Sequence, residues 1–301
     1  MAESAGSRAA TLATLALILA MMLWASSFIA LKLAFRVYDP MVVIFARMLI
    51  ASLCFLVIAR RVSRHVQYQP GDYRLILFMA FCEPCLYFLF EAKAVVNTTA
   101  SQAGMITAIL PILVMVSAAL FLKERIGIRA WLGAFAAVSG VVWLSLASSP
   151  SEDAPNPLLG NFLEFLAMVC ATGYTIAMKQ LTRRYPPFFL TALQAIIGSL
   201  FYFPILFFPS TVLPDQFHLV PGLAVLYLGA VITLGAYGLY NFGLKYVDAS
   251  RAAAYVNLIP LFAVILGWII LDETLNGQQF LAAGVIMAGV LLSRSSTPAS
   301  T

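Results

Sequence analysis

The chain has 301 residues, 62% of them hydrophobic and only 10% charged, too few charges to cover the surface of a soluble protein of this size. Its formal charge of +5 does not point to nucleic acid, because the basic residues are spread over many short loops rather than gathered into one patch. An integral membrane protein of the all-α class is expected, with lipid and not nucleic acid as its surroundings.

Ten apolar stretches approach the ~20 residues needed to cross a bilayer. Span 1, residues 11–35, follows Arg8 but is too long for the apolar core of a signal peptide, since Phe28 to Phe35 continues past Lys32. It carries Trp24 and Phe28 four residues apart, hence on one helical face. Span 2, residues 40–59, opens at Pro40 and contains Arg47. Span 3, residues 75–95, holds Cys82-Glu83-Pro84-Cys85, then Phe88, Glu91 and Lys93. With a proline inside the pair and no second Cys or His pair, this is a poor zinc site. Cys54, Cys82, Cys85 and Cys170 all lie within spans and read as small buried side chains.

Span 4, residues 100–122, begins with Ser101 and Gly104, is interrupted by Pro111 and is followed by Glu124. Span 5, residues 130–147, offers the small-residue faces Gly133 with Ala137 and Ala136 with Gly140, suited to helix packing between halves or protomers. Span 6, residues 158–178, contains Glu164 and Tyr174. Span 7, residues 188–208, follows Pro187 and contains Gln194; span 8, residues 221–244, carries Tyr237, Tyr240 and Asn241. Span 9, residues 250–271, begins with Ser250 and Ala253, includes Asn257 and Pro260, and is followed by Glu273. Span 10, residues 277–293, repeats the small face with Gly284 and Ala288.

Charge placement sets the expected orientation. The N-terminus, the even-numbered loops and the C-terminus hold 14 of the 18 basic residues, whereas the loops after spans 5, 7 and 9 carry Glu152, Asp153, Asp215, Asp272 and Glu273 without Lys or Arg. Positive residues stay inside, so both termini are expected to be cytoplasmic.

The halves also match each other. At an offset of 149, Ala100, Ser101, Pro111, Leu122, Glu124 and Gly140 fall opposite Ala249, Ser250, Pro260, Leu271, Glu273 and Gly289; at 147, Pro40 and Arg47 fall opposite Pro187 and Gln194. Five spans per copy mean that the second copy enters from the other side. The expected fold is therefore ten transmembrane helices as two inverted five-helix repeats, 11–147 and 158–293. Pro111 and Pro260 each free a carbonyl one turn earlier, and such breaks at matching places point to hinges beside a central cavity. Glu124 and Glu273 read as structural, holding loop backbone or nearby basic residues.

Trp24-Ala-Ser-Ser-Phe28, Pro40 with Arg47, and the twice-repeated Ala-Ser, Pro, Leu-x-Glu pattern together resemble the EamA family of the drug/metabolite transporter superfamily over residues 11–293. The chain as a whole is similar to the YddG-type exporters of aromatic amino acids in bacterial inner membranes. That resemblance implies a multi-pass inner-membrane transporter needing no cofactor, with a small-molecule substrate, an aromatic or other bulky apolar amino acid.

The residues themselves suggest where a solute would sit. An aromatic cage of Trp24, Phe28, Phe88, Tyr174, Tyr237 and Tyr240, with Glu91, Ser101, Asn241, Ser250 and Asn257 as polar groups, suits an amphipathic molecule with a flat apolar side. Lys32, Arg47, Glu83, Glu91, Lys93 and Glu164 are charges inside spans, each costly unless paired or hydrated. Arg47, Glu83 and Glu164 are expected to form an intramembrane charge network, Glu91 to serve the cavity, and Lys32 and Lys93 to pair or reach the interface. No intramembrane Asp dyad, zinc-protease, nucleophile-elbow or phosphate-loop motif occurs, so neither an enzyme nor a nucleotide-driven pump is expected. The expected function is export of aromatic or other bulky apolar amino acids by alternating access. The alternatives are a carrier for an organic anion or a drug-like cation, and a non-transporting structural or channel-like membrane protein. A monomer is compatible with everything in the sequence, which leaves oligomeric state and proton coupling open.

Overall fold

The structure, a computed structural model, describes residues 2–58, 66, 68–122, 127–247, 252 and 255–294. Glu124, Ala249, Ser250 and Ala253 lie outside the described residues. The described chain is helical throughout, with one isolated bridge between Ser151 and Ala154 and no strand among these residues. Eight helices are long and apolar enough to cross a membrane: α1 (Ala2–Phe35), α2 (Pro40–Val57), α3 (Asp72–Asn97), α4 (Ala100–Ser117), α5 (Ile128–Leu146), α6 (Pro157–Leu181), α7 (Pro187–Phe207) and α8 (Leu219–Tyr246). Two shorter apolar helices follow, α9 (Val256–Leu271) and α10 (Gly277–Arg294).

Local chemistry sets the helix boundaries. The Asp39 carboxylate accepts from the Met41 N–H at 2.8 Å, and Pro40, whose fixed φ suits a first helical position, starts α2. Asn156 and Pro157 do the same for α6, and the Thr99 hydroxyl accepts from Gln102 N–H to start α4. α9 stops where Asp272 turns left-handed at φ 55°, a conformation that a short polar side chain tolerates.

Five helices depart from regular α geometry, α7 only in its closing 3-10 turn, Phe203–Phe207. In α4 a 3-10 turn, Thr107–Ile109, precedes Pro111, and in α9 the turn Val256–Leu258 precedes Pro260, so both prolines mark breaks at matching positions. α3 and α8 widen into π-helical stretches at Phe81–Leu86 and Leu228–Ala236. Within the first, Glu83 leaves helical geometry at φ −150°, ψ 116°, and its bond to Pro84 is cis.

The helices pack in a pattern that survives exchange of the two halves. α2 packs on α7, α4 on α9 and α5 on α10, while α1 packs on α8 as α6 packs on α3. The α5–α10 seam is the closest: a Cβ on Gly133 would lie 2.5 Å from the Gly289 carbonyl, and one on Gly289 would lie 2.5 Å from Ala137 N. On α10 the seam uses Gly289 rather than the expected Gly284 and Ala288, which are exposed. Exposed Leu12, Leu15, Phe135, Leu146, Trp268 and Ile269 form the outward apolar surface that lipid covers.

Candidate functional site

α1, α2, α3, α6 and α8 converge on a cavity, and the 3-10 breaks of α4 and α9 supply Thr107, Leu110, Val256 and Ile259 to its wall. The wide turns at Glu83 and Thr233 and the proline-linked breaks thus all lie at or beside one space. Irregular backbone of this kind is tolerated at membrane depth where it lines a protein cavity. The space free for water centres is about 40 Å³, and a water needs roughly 10–15 Å³ by that measure, so a few waters fill it.

One side is aromatic. Trp24 meets Tyr237 with ring centres 5.1 Å apart and Tyr240 at 4.8 Å, and Tyr174 lies 6.4 Å from Tyr237. These edge-on and tilted contacts are the geometry that the ring quadrupoles favour. Phe28 and Tyr87 complete this side. The Tyr174 hydroxyl donates to Asn241 Oδ1 at 2.5 Å, and Asn241 Nδ2 donates to Thr191 Oγ1 at 2.7 Å, which holds the Tyr174 ring from behind. Thr175 and Tyr240 share a long hydroxyl contact of 3.5 Å.

The other side is charged. Arg47 is 1% exposed; its Nε donates to Thr233 Oγ1 at 2.8 Å and its Cζ stands 4.1 Å above the Phe88 ring. Its Nη1 lies 3.5 Å from Glu91 Oε2, within ion-pair range but beyond a good hydrogen bond. Glu91 Oε1 accepts from the Tyr87 hydroxyl at 3.0 Å. Glu83 faces the same space and meets the Tyr237 hydroxyl. Trp24 Nε1, Arg47 Nη1, Glu91 Oε2 and Gln194 Oε1 are buried without hydrogen-bond partners among the described residues. Buried polar atoms are normally satisfied, so this cluster is what a polar guest would complete.

Of the sequence-predicted cage, Trp24, Phe28, Glu91, Tyr174, Tyr237 and Tyr240 border the cavity. Phe88 does not; it borders a smaller space shared with Met48, Glu83, Pro84, Gln194 and Thr233. Asn241 stands behind Tyr174 rather than facing the cavity. Ser101 lies away from it too: the Glu273 carboxylate accepts from Ala100 N–H, Ser101 N–H and Ser101 Oγ at 2.7, 2.8 and 2.5 Å, clasping the start of α4. Glu273 therefore holds backbone, as its position suggested, and Ser250, the counterpart of Ser101, lies outside the described residues. Pro111 and Pro260 stand just behind the wall residues Leu110 and Ile259. Asn257, beside the wall residue Val256, is buried with both amide atoms unpartnered.

Of the remaining charges, Lys32 donates to the Asp153 carbonyl, and Lys93 is exposed. Glu164 is fully buried on α6, and neither of its oxygens has a hydrogen-bond partner among the described residues. Sequence reasoning missed Tyr87, Ser27, Thr107, Thr175 and Thr233. Tyr87 carried a usable signal, standing four residues before Glu91. No group of three metal-ligating side chains occurs among the described residues.

With this geometry in hand, comparison with known proteins is informative. The sequence profile of the EamA-like transporter family matches the chain twice, over residues 11–146 and 158–295. The chain is 26% identical over 271 residues to a protein of Archaeoglobus fulgidus described as an uncharacterized transporter, covering 89% of this chain and 94% of that one. It is 28% identical over 278 residues to the uncharacterized transporter YcxC of Bacillus subtilis, covering 88% and 87%. A solved crystal structure superposes with a TM-score of 0.67 at 21% identity, over 96% of this chain and 99% of that one, which is a likeness of fold.

Proposed function

The chain belongs to the EamA-like transporter family, and from that premise we propose that it is a secondary carrier exporting aromatic or other bulky apolar amino acids by alternating access. The observation that carries this reading is the pairing, in one buried cavity, of an aromatic side with unsatisfied charged groups. The side-chain ring of the substrate stacks among Trp24, Tyr237 and Tyr240. Its carboxylate accepts from Trp24 Nε1 and from Arg47 Nη1, which Glu91 holds only at 3.5 Å, and its ammonium meets Glu83. The present cavity is too small for such a guest, so binding requires the halves to move apart about the breaks at Pro111 and Pro260.

In this reading residues 11–147 and 158–293 are inverted repeats, supported by the exchange-symmetric packing and the double family match. The basic loops put both termini on the cytoplasmic side of a bacterial inner membrane. Two carboxylates face one guanidinium in the cavity, and Lys32 is turned to a loop carbonyl, so a drug-like cation is the alternative substrate that the site favours over an anion.

Proteoliposomes given labelled phenylalanine, tryptophan, threonine and a sugar phosphate in parallel test the proposal. Saturable uptake with counterflow is expected for phenylalanine and tryptophan. Non-saturating flux of all four without counterflow would indicate a channel-like pore and overturn the carrier reading.

A further inference from the structure

Glu164 is the buried charge for which the cavity has no use. It is 0% exposed, lies outside the cavity lining, and finds no hydrogen-bond donor among the described residues. α3, α4, α5 and α8 all pack on α6. From α3, Glu91 and Tyr87 are the ionisable groups that face Glu164. α4 carries no ionisable residue between Ala100 and Ser117, and α5 carries only Arg129, in its first turn. The α8 tyrosines Tyr237 and Tyr240 meet α6 at Tyr174 and Thr175, ten and eleven residues further on, about 15 Å along a helix. Among the described residues no basic group pairs with Glu164, and Arg47 is directed to Glu91 and Thr233.

Three carboxyl groups, Glu83, Glu91 and Glu164, thus share one guanidinium in the interior. A carboxylate with no donor in an apolar interior is costly. A metal cation would need a shell of several oxygens, and the described residues assemble no such donor group around Glu164. A proton needs only the one oxygen that Glu164 offers.

We propose that Glu164 is the coupling-proton site of this carrier, filled in the conformation seen here, where it is fully buried, and emptied when α3 and α6 part to admit water. This rests on the carrier reading above. In the release step the carboxylic O–H bond breaks, the electron pair stays on the Glu164 oxygen, and the proton passes to water. In the reverse step, with the carrier open to the other side, a hydronium ion returns it. One proton thereby moves in for each substrate molecule moved out.

The test uses full-length protein in acid-loaded liposomes, with labelled phenylalanine outside and a pH-sensitive dye within. The wild type should accumulate phenylalanine several-fold above the level reached without a pH gradient, with matching alkalinisation of the lumen. Glu164→Gln should lose that accumulation while keeping phenylalanine counterflow, and Glu164→Asp, which keeps an exchangeable proton, should retain it. Accumulation by E164Q at the wild-type level, or a wild type with counterflow but no response to the gradient, would overturn the proton site and leave the carrier reading standing. Should phenylalanine not move at all, the carrier reading fails separately, and infrared spectroscopy decides the site by itself. A carbonyl-stretch band from un-ionised carboxyl groups near neutral pH, with a component that persists in Glu83→Gln and in Glu91→Gln but is lost in E164Q, supports it; no band in wild type, or a band that E164Q leaves unchanged, overturns it.

Discussion

α3 and α8 widen at the same place, 149 residues apart, yet they are built from different residues. In α3 the widening contains Glu83 and Pro84, and the carbonyls it frees are taken by α7: Gln194 Nε2 donates to the Glu83 carbonyl at 2.9 Å, and the Tyr202 hydroxyl to that of Cys85 at 2.6 Å. In α8 the matching stretch contains Ile232 and Thr233 with no proline; the Thr233 hydroxyl donates to the Leu228 carbonyl at 2.8 Å and accepts from Arg47 of α2. Gln194 and Arg47 are themselves counterparts at the 147 offset. Each half therefore braces the distorted helix of the other from the same position, once with a neutral amide and once with a cation. The mechanics of the brace are shared, while the charge that reaches the cavity belongs to one half only.

Removing the charged brace should have the largest effect. Arg47→Ala strands Glu91 in the interior, and losing one partner of a buried ion pair costs about 3–5 kcal/mol, so the purified variant should show a greatly lowered melting temperature or fail to fold. Arg47→Gln with Glu91→Tyr instead copies the second half's residues into the first. It should recover most of the thermal stability while abolishing saturable phenylalanine transport, and transport at the wild-type rate would break the assignment of substrate recognition to the asymmetric residues. Gln194→Ala leaves the Glu83 carbonyl without its donor, an expected loss of about 1–3 kcal/mol in a thermal-shift measurement. Thr233→Val keeps the volume but takes the acceptor from Arg47 Nε and the donor from the Leu228 carbonyl, so a loss of the same order, about 1–3 kcal/mol, is expected. If Thr233→Val were the more damaging of these last two, the braces would not be equivalent.

The helical, membrane-embedded character was legible because composition and run length report it directly. Repetition was legible through rare residues such as Pro111 and Pro260, which stand out against an aliphatic background. The α3 distortion was announced by Pro84, but that of α8 had no such signal, since Thr233 satisfies a wide turn as readily as an ordinary one. Side chains were harder to place. Ser101 looked like a cavity hydroxyl because of its position near a break, yet a carboxylate 172 residues away captures it. The packing of α6, which carries Glu164, on α3, which carries Glu91, is a tertiary fact with no sequence spacing to betray it, and within the chain the α5 contact falls to Gly289 rather than Gly284 because α10 carries two small-residue stripes.

The α5–α10 seam has a consequence for biogenesis. Gly133 and Gly140 form a groove whose filler, the Gly289 and Ile286 face of α10, is made roughly 150 residues later, on the order of ten seconds or more of synthesis at typical rates. During that interval the first half waits in the bilayer with its groove open to lipid or to a helix from another nascent chain. The last helix thus acts as the closing stitch of membrane insertion, and a chain truncated before Gly277 would leave that groove available to chaperones and quality-control proteases.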